Sequence, residues 1–493
     1  MIKPAVSVKI ALIAVALLYL YSLWHREPDV DDAWIGEHAY WLVEKGYVKS
    51  ELMHGITNQH VRNIVHHKLF TLNGALFIVL FGFSLWTLKS VSLMWLMIFS
   101  IIFFITIRRK EGSPAAWFAM LLMAVNAFIF QYSFVYRPEI MVMTLGFISW
   151  LFLDQYLQNK KIYTLIFSGI FAGLAASAHL NGLIFIMAGG LLLLWNRKLL
   201  PAIIFGLSVL PSLMIYFFDF TREYGFSYWL YQLNDAPALH KSSILPHSLS
   251  FFGKIFREHM RFFHSPAEIS QSLLLLFCLI LGYPFLKQKK ALLRYFLLLV
   301  ISLSLVAVHT TSKYMLMYMP FILYIITITF VHIYNGRKTK QKLLRGIQVK
   351  KAWPWAVALL FIYFSIGMIR NIQISTRKFD PGKHAELSNK YIGARQDTVR
   401  VIAPMDFIFN EIEHFGRIQG DLSFADMQKA GHDLHGKSFL KMADSLGIHY
   451  LLLSDHYLEK FGLDGFTVAD FRSAGFTIAG KEENLQIIKN EEP

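Results

Sequence analysis

Long apolar runs follow one another from the N-terminus to about residue 370, and the short polar stretches between them hold much of the lysine and arginine. Runs of about 20 apolar residues are what a hydrocarbon core of about 30 Å requires of a helix. In lipid the backbone has to satisfy its own hydrogen bonds, so these runs are predicted to be helices. The first, Val6 to Trp24, is longer than the core of a signal peptide and is followed by no small-x-small cleavage site, so it is read as a retained span.

The basic clusters thread the chain. Arg108-Arg109-Lys110, Lys160-Lys161, Arg197-Lys198, Lys287 to Lys290 and Arg337 to Lys351 should all be cytoplasmic, as should Lys3 and Lys9 at the N-terminus. That parity leaves room for one span, not two, between His25 and Arg108. Val91 to Ile107 takes that place. Leu69 to Leu88, interrupted by Asn73, Gly74 and Gly82, becomes a helix or re-entrant segment at the outer interface. The remaining spans fall near 115–133, 140–157, 163–179, 181–195, 199–218, 271–286, 291–308, 314–334 and 352–370. The expected architecture is a polytopic α-helical membrane unit, residues 1–370, of about eleven transmembrane helices with outward loops 25–90 and 219–270. Residues 371–493 are polar. Short strand-like runs at Val399 to Ile402 and Tyr450 to Leu453 flank a helical pattern from Ser438 to Leu446, so a small extracytoplasmic α/β domain is expected there.

Composition agrees with this picture. Only 16% of the 493 residues are charged and 55% are hydrophobic, against roughly a quarter charged in soluble chains. The net charge of +15 would suggest nucleic acid on a soluble protein, but here the cations sit in loops suited to anionic lipid. The single cysteine, Cys278, excludes an intrachain disulfide and a cysteine metal site. The absence of any Asn-x-Ser/Thr sequon favours a bacterial inner membrane.

Candidate chemistry gathers at the outer edge. Asp29, Asp31 and Asp32 lie just beyond the first span, where a carboxylate can take a proton from an acceptor hydroxyl. Arg137 and Glu139 begin a span and can pair with each other or with a phosphate. Lys313 stands on an outer turn with His309, Thr310, Thr311 and Ser312. His54, His60, His66 and His67 have no compact metal-ligand spacing. The loop 219–270 mixes Tyr224, Phe226, Tyr228 and Trp229 with Arg257 and Arg261, as an interfacial loop would. Asp406, Glu411 and Glu413 in the tail read as surface residues.

These residues also carry a family resemblance. Asp31-Asp32-Ala33-Trp34 through Glu37, Glu44 and Gly46-Tyr47 resembles the first-loop motif of the C-type (GT-C) glycosyltransferases, which include the protein O-mannosyltransferases and the lipid A aminoarabinose transferases. His66-His67-Lys68, Arg108-Arg109, Tyr136-Arg137-Pro138-Glu139, Gly173 to Gly182, and Lys313-Tyr314 with Met319-Pro320 follow in the family's order. The family's prolines after the histidines are missing, and Asn181 stands where it has a lysine. The resemblance implies a helical bundle with its active site on the outer face. It implies Asp31 as the catalytic base, with Asp32 orienting the site and Glu37 supporting it. It implies Lys313, Arg137, His66 and His67 at the donor phosphate, with Glu139 orienting Arg137. The implied reaction moves a sugar from a polyprenyl-phosphate carrier to a glycan, lipid or protein hydroxyl, with inversion. The partners are then membrane lipid and the lipid-linked sugar, and no cofactor or metal is needed. A transporter of lipid-linked substrates, or a non-catalytic assembly protein, would be the alternative. The first would require charged residues near the midplane and repeated halves, and the spans are nearly free of charge.

Overall fold

A computed structural model describes residues 6–235, 247–307, 310–336, 349–376, 379–380, 382–393 and 397–491. Most of the basic stretch from Arg337, and His309, lie outside them.

Each apolar run expected to cross the membrane falls on a helix or a broken pair of helices. In chain order the first ten helices are α1 (Val6–His25), α2 (Val30–Lys45), α3 (Lys68–Phe81), α4 (Leu85–Glu111), α5 (Ser113–Val125), α6 (Ala127–Tyr132), α7 (Glu139–Asn159), α8 (Ile162–Ala178), α9 (Leu183–Trp195) and α10 (Leu199–Leu213). Pro266–Leu281, Lys290–Val306, Met319–Gly336 and Val349–Ser375 complete the bundle. Six helices among the described residues are long and apolar enough to cross a membrane by themselves, or seven if the bent pair Phe252–Phe262 and Pro266–Leu281 counts as one. The others are shorter or broken. The expected run 115–133, for example, divides at Asn126, whose side chain caps α6 through the Phe128 and Ile129 amides and donates to Gln271 and Tyr363.

The segment 312–336 is almost wholly enclosed by its neighbours, whereas α1 shows Ile10, Ile13, Leu17 and Leu20 on its outside. Such exposed apolar faces suit lipid contact. Helices α8 and α10 pack through small residues: a Cβ at Gly169 or Gly173 would stand 2.6 Å from the Phe205 or Val209 carbonyl. Close backbone approach of this kind holds helices together where no hydrophobic driving force separates them from lipid.

The interfacial segment expected at Leu69 to Leu88 is narrower than the sequence suggests. Helix α3 stops at Phe81, because Gly82 takes a positive φ of 78° that L side chains avoid. Ser84 then caps α4 by accepting from the Thr87 amide at 3.1 Å, so α4 starts at Leu85 and not at Val91.

The polar tail forms a mixed five-stranded sheet of β1 (Arg400–Ala403), β2 (Arg417–Gly420), β3 (Tyr450–Ser454), β4 (Phe476–Glu482) and β5 (Leu485–Asn490), in the order β2-β1-β3-β5-β4. The first three are parallel, and β5 and β4 add antiparallel. Helices Asp421–Lys429 and Lys437–Ser445 supply the crossover that parallel neighbours need. Glu411 corrects the sequence reading: it is fully buried, because its short helix packs between Lys383–Tyr391 and α2.

The sheet rests on the first loop. Gly420 donates its amide to Leu52 O at 3.0 Å, Gln419 donates to His54 O at 3.2 Å, and Arg417 pairs with Glu51 at 3.5 Å. The Phe379 amide reaches back to His25 O at 3.1 Å. Asp31 and the sheet therefore lie on one side of the bundle, which requires an even number of crossings between them.

Candidate active site

Helix α2 opens the site. Asp29 is its N-cap: it accepts from the Asp31 amide at 3.1 Å, while Asp32 accepts from the Asp29 amide at 2.7 Å. This capping box satisfies amides that the first turn leaves free. Asp32 is fully buried and also accepts from the Tyr136 amide at 2.5 Å. It thereby fastens α2 to the turn that carries Arg137. Burial pushes its carboxyl up to about 6, although Lys89 and the two amides pull the other way.

Asp31 is left facing Arg137. The guanidinium pairs with the Asp31 carboxylate on one side and with Glu139 on the other, at 2.7 Å from Nη2 and 3.1 Å from Nε. Arg137 and Glu139 are both buried, so each charge depends on the other. Lys313 lies within electrostatic reach of Arg137, Glu139 and Asp29, half-buried. No acceptor stands within hydrogen-bond distance of its ammonium among the described residues. Its one defined contact is the Tyr314 ring, 5.8 Å from the nitrogen. Tyr314 in turn lies close to Asn181, the residue in the place of the family's lysine.

The two histidines expected at a phosphate part company. His67 faces the cluster, stacked on His179 at 4.6 Å and near Glu139 and Lys313. Burial lowers it to about 4, so at neutral pH it offers a hydrogen bond and no charge. His66 turns away, because Asp219 holds it at 2.9 Å and Thr71 at 3.1 Å. Asp219 also accepts from Lys68 at 2.5 Å. Burial alone would raise Asp219, but His66 and Lys68 hold its carboxyl below the usual range. Glu37 serves the loop and not the chemistry: it accepts from Ser50 at 2.6 Å, Trp41 at 2.9 Å and the Glu51 amide at 2.7 Å. Burial nonetheless pushes it up to about 7.

Arg261 is read from sequence as part of an interfacial loop where substrate contact is possible, and not as a residue of the site. It is fully buried, pairs with Glu258 at 2.7 Å, donates to Thr311 O two residues before Lys313, and lies 5.6 Å from the Tyr314 ring centre. Its signal is an arginine in a loop expected on the outer side, against the positive-inside distribution. No group of three His, Cys, Asp or Glu placed to hold a metal occurs among the described residues.

Comparison with solved structures places the fold. ArnT from Cupriavidus metallidurans in the apo state superposes with a TM-score of 0.61 over 99% of this chain and 98% of its own, at 11% identity. The fold is that of the GT-C glycosyltransferases. The same enzyme bound to undecaprenyl phosphate gives 0.55 at 9% identity, covering 98% of both chains. The Archaeoglobus fulgidus oligosaccharyltransferase tethered with an acceptor peptide gives 0.51 at 11% identity, covering 91% of this chain and 69% of that one. The family model for dolichyl-phosphate-mannose-protein mannosyltransferases matches residues 70–218, from α3 to the end of the α10 segment. No curated protein matches. The GT-C resemblance read from the outer-loop motifs thus agrees with both comparisons, which name a mannosyltransferase, ArnT and an oligosaccharyltransferase.

Proposed function

We propose that this protein transfers a sugar from a polyprenyl-phosphate carrier to an acceptor hydroxyl on the outer face of a bacterial inner membrane, with inversion at the anomeric carbon. The carrying observation is Lys313: a half-buried cation without a hydrogen-bonding partner among the described residues, within electrostatic reach of the Arg137 guanidinium that holds Asp31. Cations so placed suit a phosphate whose isoprenoid tail stays in the lipid. An apolar groove of about 510 Å³ supports the tail's part. It runs between Pro266–Leu281 and Lys290–Val306, lined by His259, Phe262, Phe263, Leu275, Leu293 and Phe296. The ArnT structure bound to undecaprenyl phosphate supports a carrier of this class.

In this reading Asp31 takes the acceptor's hydroxyl proton and the acceptor oxygen attacks the anomeric carbon. The bond from that carbon to the phosphate oxygen breaks, and its electron pair leaves with the phosphate. Arg137 is shared between Asp31 and Glu139 before the donor arrives. A donor phosphate competes for the guanidinium and frees a lone pair of Asp31 for the proton. Lys313 and Arg137 then stabilise the departing charge, with His67 donating a hydrogen bond. A phosphate is already a good leaving group, so a base and cations are enough.

The test uses the purified protein with a polyprenyl-phosphate sugar at several donor concentrations. Lys313→Met should weaken donor binding and slow transfer together by about tenfold to a hundredfold, since charge-assisted contacts contribute roughly 1.5–3 kcal/mol. Unchanged kinetics in a properly inserted variant would remove Lys313 from the site.

A further inference from the structure

At the end of the bundle away from Asp31 lies a cavity of about 430 Å³ that the transfer reading does not use. Helix α7 starts in the site at Glu139 and reaches Asp154, in the wall of this cavity, about 22 Å further along at 1.5 Å per residue. Helix α4 brings Lys110 to the same wall in its last turn. The basic clusters assign this end to the cytoplasm. The apolar runs stop here, which is the level of that leaflet's headgroups.

The lining is mostly cationic: Lys110, Lys289 and Lys290 against one carboxylate, Asp154. Lys110 pairs with Asp154, and Lys289 pairs at 2.8 Å with Glu111, which is outside the lining. Lys290 has no acceptor within hydrogen-bond distance among the described residues.

Trp150 points to a ligand independently of the lysines. It is 1% exposed and lines the cavity, yet its Nε1–H has no partner among the described residues. Tyr295, fully buried, packs on the indole at 4.5 Å between ring centres, and its hydroxyl has no partner either. A buried polar group of this kind is costly unless something arrives to pair with it. An indole N–H can only donate, so what arrives must bring an acceptor atom.

We infer that this cavity binds a hydroxyl-bearing phosphate ester, presented as the headgroup of an anionic phospholipid such as phosphatidylglycerol. The inference goes beyond the transfer reading and does not depend on it. Phosphate oxygens accept from Lys290 and from the Trp150 Nε1–H. Lys110 and Gln158 both take Asp154 Oδ2, which leaves Oδ1 for a hydroxyl of the headgroup. Leu157 and Leu292 add apolar wall for the start of the lipid chains, a contact that a soluble phosphate ester lacks. A choline headgroup fits less well, because it adds a cation among lysines and has no proton to donate to Asp154. Basic pockets between spans on the cytoplasmic side are a recurrent means of holding anionic lipid.

The full-length protein in neutral detergent can be titrated with phosphatidylglycerol, phosphatidylcholine and glycerol 3-phosphate, and the adducts counted by native mass spectrometry. Phosphatidylglycerol should bind about tenfold more tightly than phosphatidylcholine. Lys290→Gln should remove most of that preference, about tenfold, the size of one charge-assisted contact. Trp150→Phe, which keeps a ring and loses the N–H, should weaken binding by about twofold to tenfold. Lys287→Gln removes the same charge from an exposed neighbour outside the lining and should change nothing. Equal uptake of the two lipids would overturn the proposal. So would a loss in Lys290→Gln no larger than in Lys287→Gln, or a folded Trp150→Phe protein with unchanged binding, whose N–H would then have been satisfied by water. Glycerol 3-phosphate bound with the same sensitivity to Lys290→Gln, in protein that takes up no phosphatidylglycerol, would overturn the lipid as the source and assign the cavity to a soluble ester.

Discussion

At the scale of residues, Asp29, Asp31 and Asp32 are three neighbouring carboxylates with three different tasks. Asp29 caps a helix, Asp32 ties that helix to the Arg137 turn, and Asp31 alone faces a cation in the site. Asp31→Asn should therefore cut transfer by about 10²–10⁴-fold, the usual loss of a general base, while insertion and donor binding persist. Asp29→Asn should do little, since asparagine caps as well as aspartate, whereas Asp29→Ala should cost about 1 kcal/mol of stability. Steady-state rates and thermal unfolding of the three variants separate the roles, and equal losses in Asp31→Asn and Asp29→Asn would refute the assignment. Lys313→Arg should restore only part of what Lys313→Met loses, because a guanidinium needs room for its fork; a full rescue in the same donor titration would argue against a fitted phosphate site. Much of this was legible. The order of Asp31, Arg137, Glu139 and Lys313 along the chain pointed to one face, and the structure brings them together. What the sequence could not show was direction: nothing in His66-His67 says which ring faces Lys313, since Asp219, 153 residues on from His66, decides it.

At the scale of elements, the bundle depends on helices meeting through glycine. Gly173→Leu should force α8 from α10, because the added carbons would meet the Val209 carbonyl and Ser212. Gly190→Ala, on α9 with nothing within 4 Å of its position, should be neutral or slightly stabilising. Unfolding in detergent should then show a lower midpoint for the first and none for the second; equal midpoints would mean that α8 and α10 do not rely on this contact. The start of α3 carries a pH dependence of its own. Burial lowers His66 and His67 to about 4, below their ordinary value of about 6.5. Between these limits the unfolded chain takes up protons that the folded one refuses, so their contribution to stability is present above about 6.5 and fades as pH falls toward 4. His66→Gln should flatten that slope in unfolding measured across pH 4–7, and an unchanged slope would exclude the pair as its source. Element boundaries were less legible than element types. The run expected as one span at 115–133 is two helices because Asn126 turns its side chain back to cap the second, and no hydropathy profile carries that information.

At the scale of the whole molecule, the tail is a part of the face that carries Asp31 and not an appendage. Its sheet hydrogen-bonds the first loop at Leu52 and His54, and together they enclose a cavity of about 370 Å³. The strands at β1 and β3 and the helix between them were visible as short apolar runs in a polar stretch. Their docking on the loop was not, because it uses backbone groups, the Gln419 side chain and an ion pair that no sequence pattern marks. Reporter fusions after residue 60 and at the C-terminus should both report the extracytoplasmic side; a cytoplasmic signal from either would reverse the threading set by the basic clusters. The central claim, transfer from a lipid phosphate by Asp31, is tested most directly by one assay. A radiolabelled polyprenyl-phosphate sugar is incubated with purified protein and an envelope extract, and the label leaving the lipid is counted. The unmodified protein should move the sugar into an extract product and leave polyprenyl phosphate, while Asp31→Asn should bind the lipid and move almost none. Equal transfer by the two proteins, or none by the unmodified one, would contradict the account.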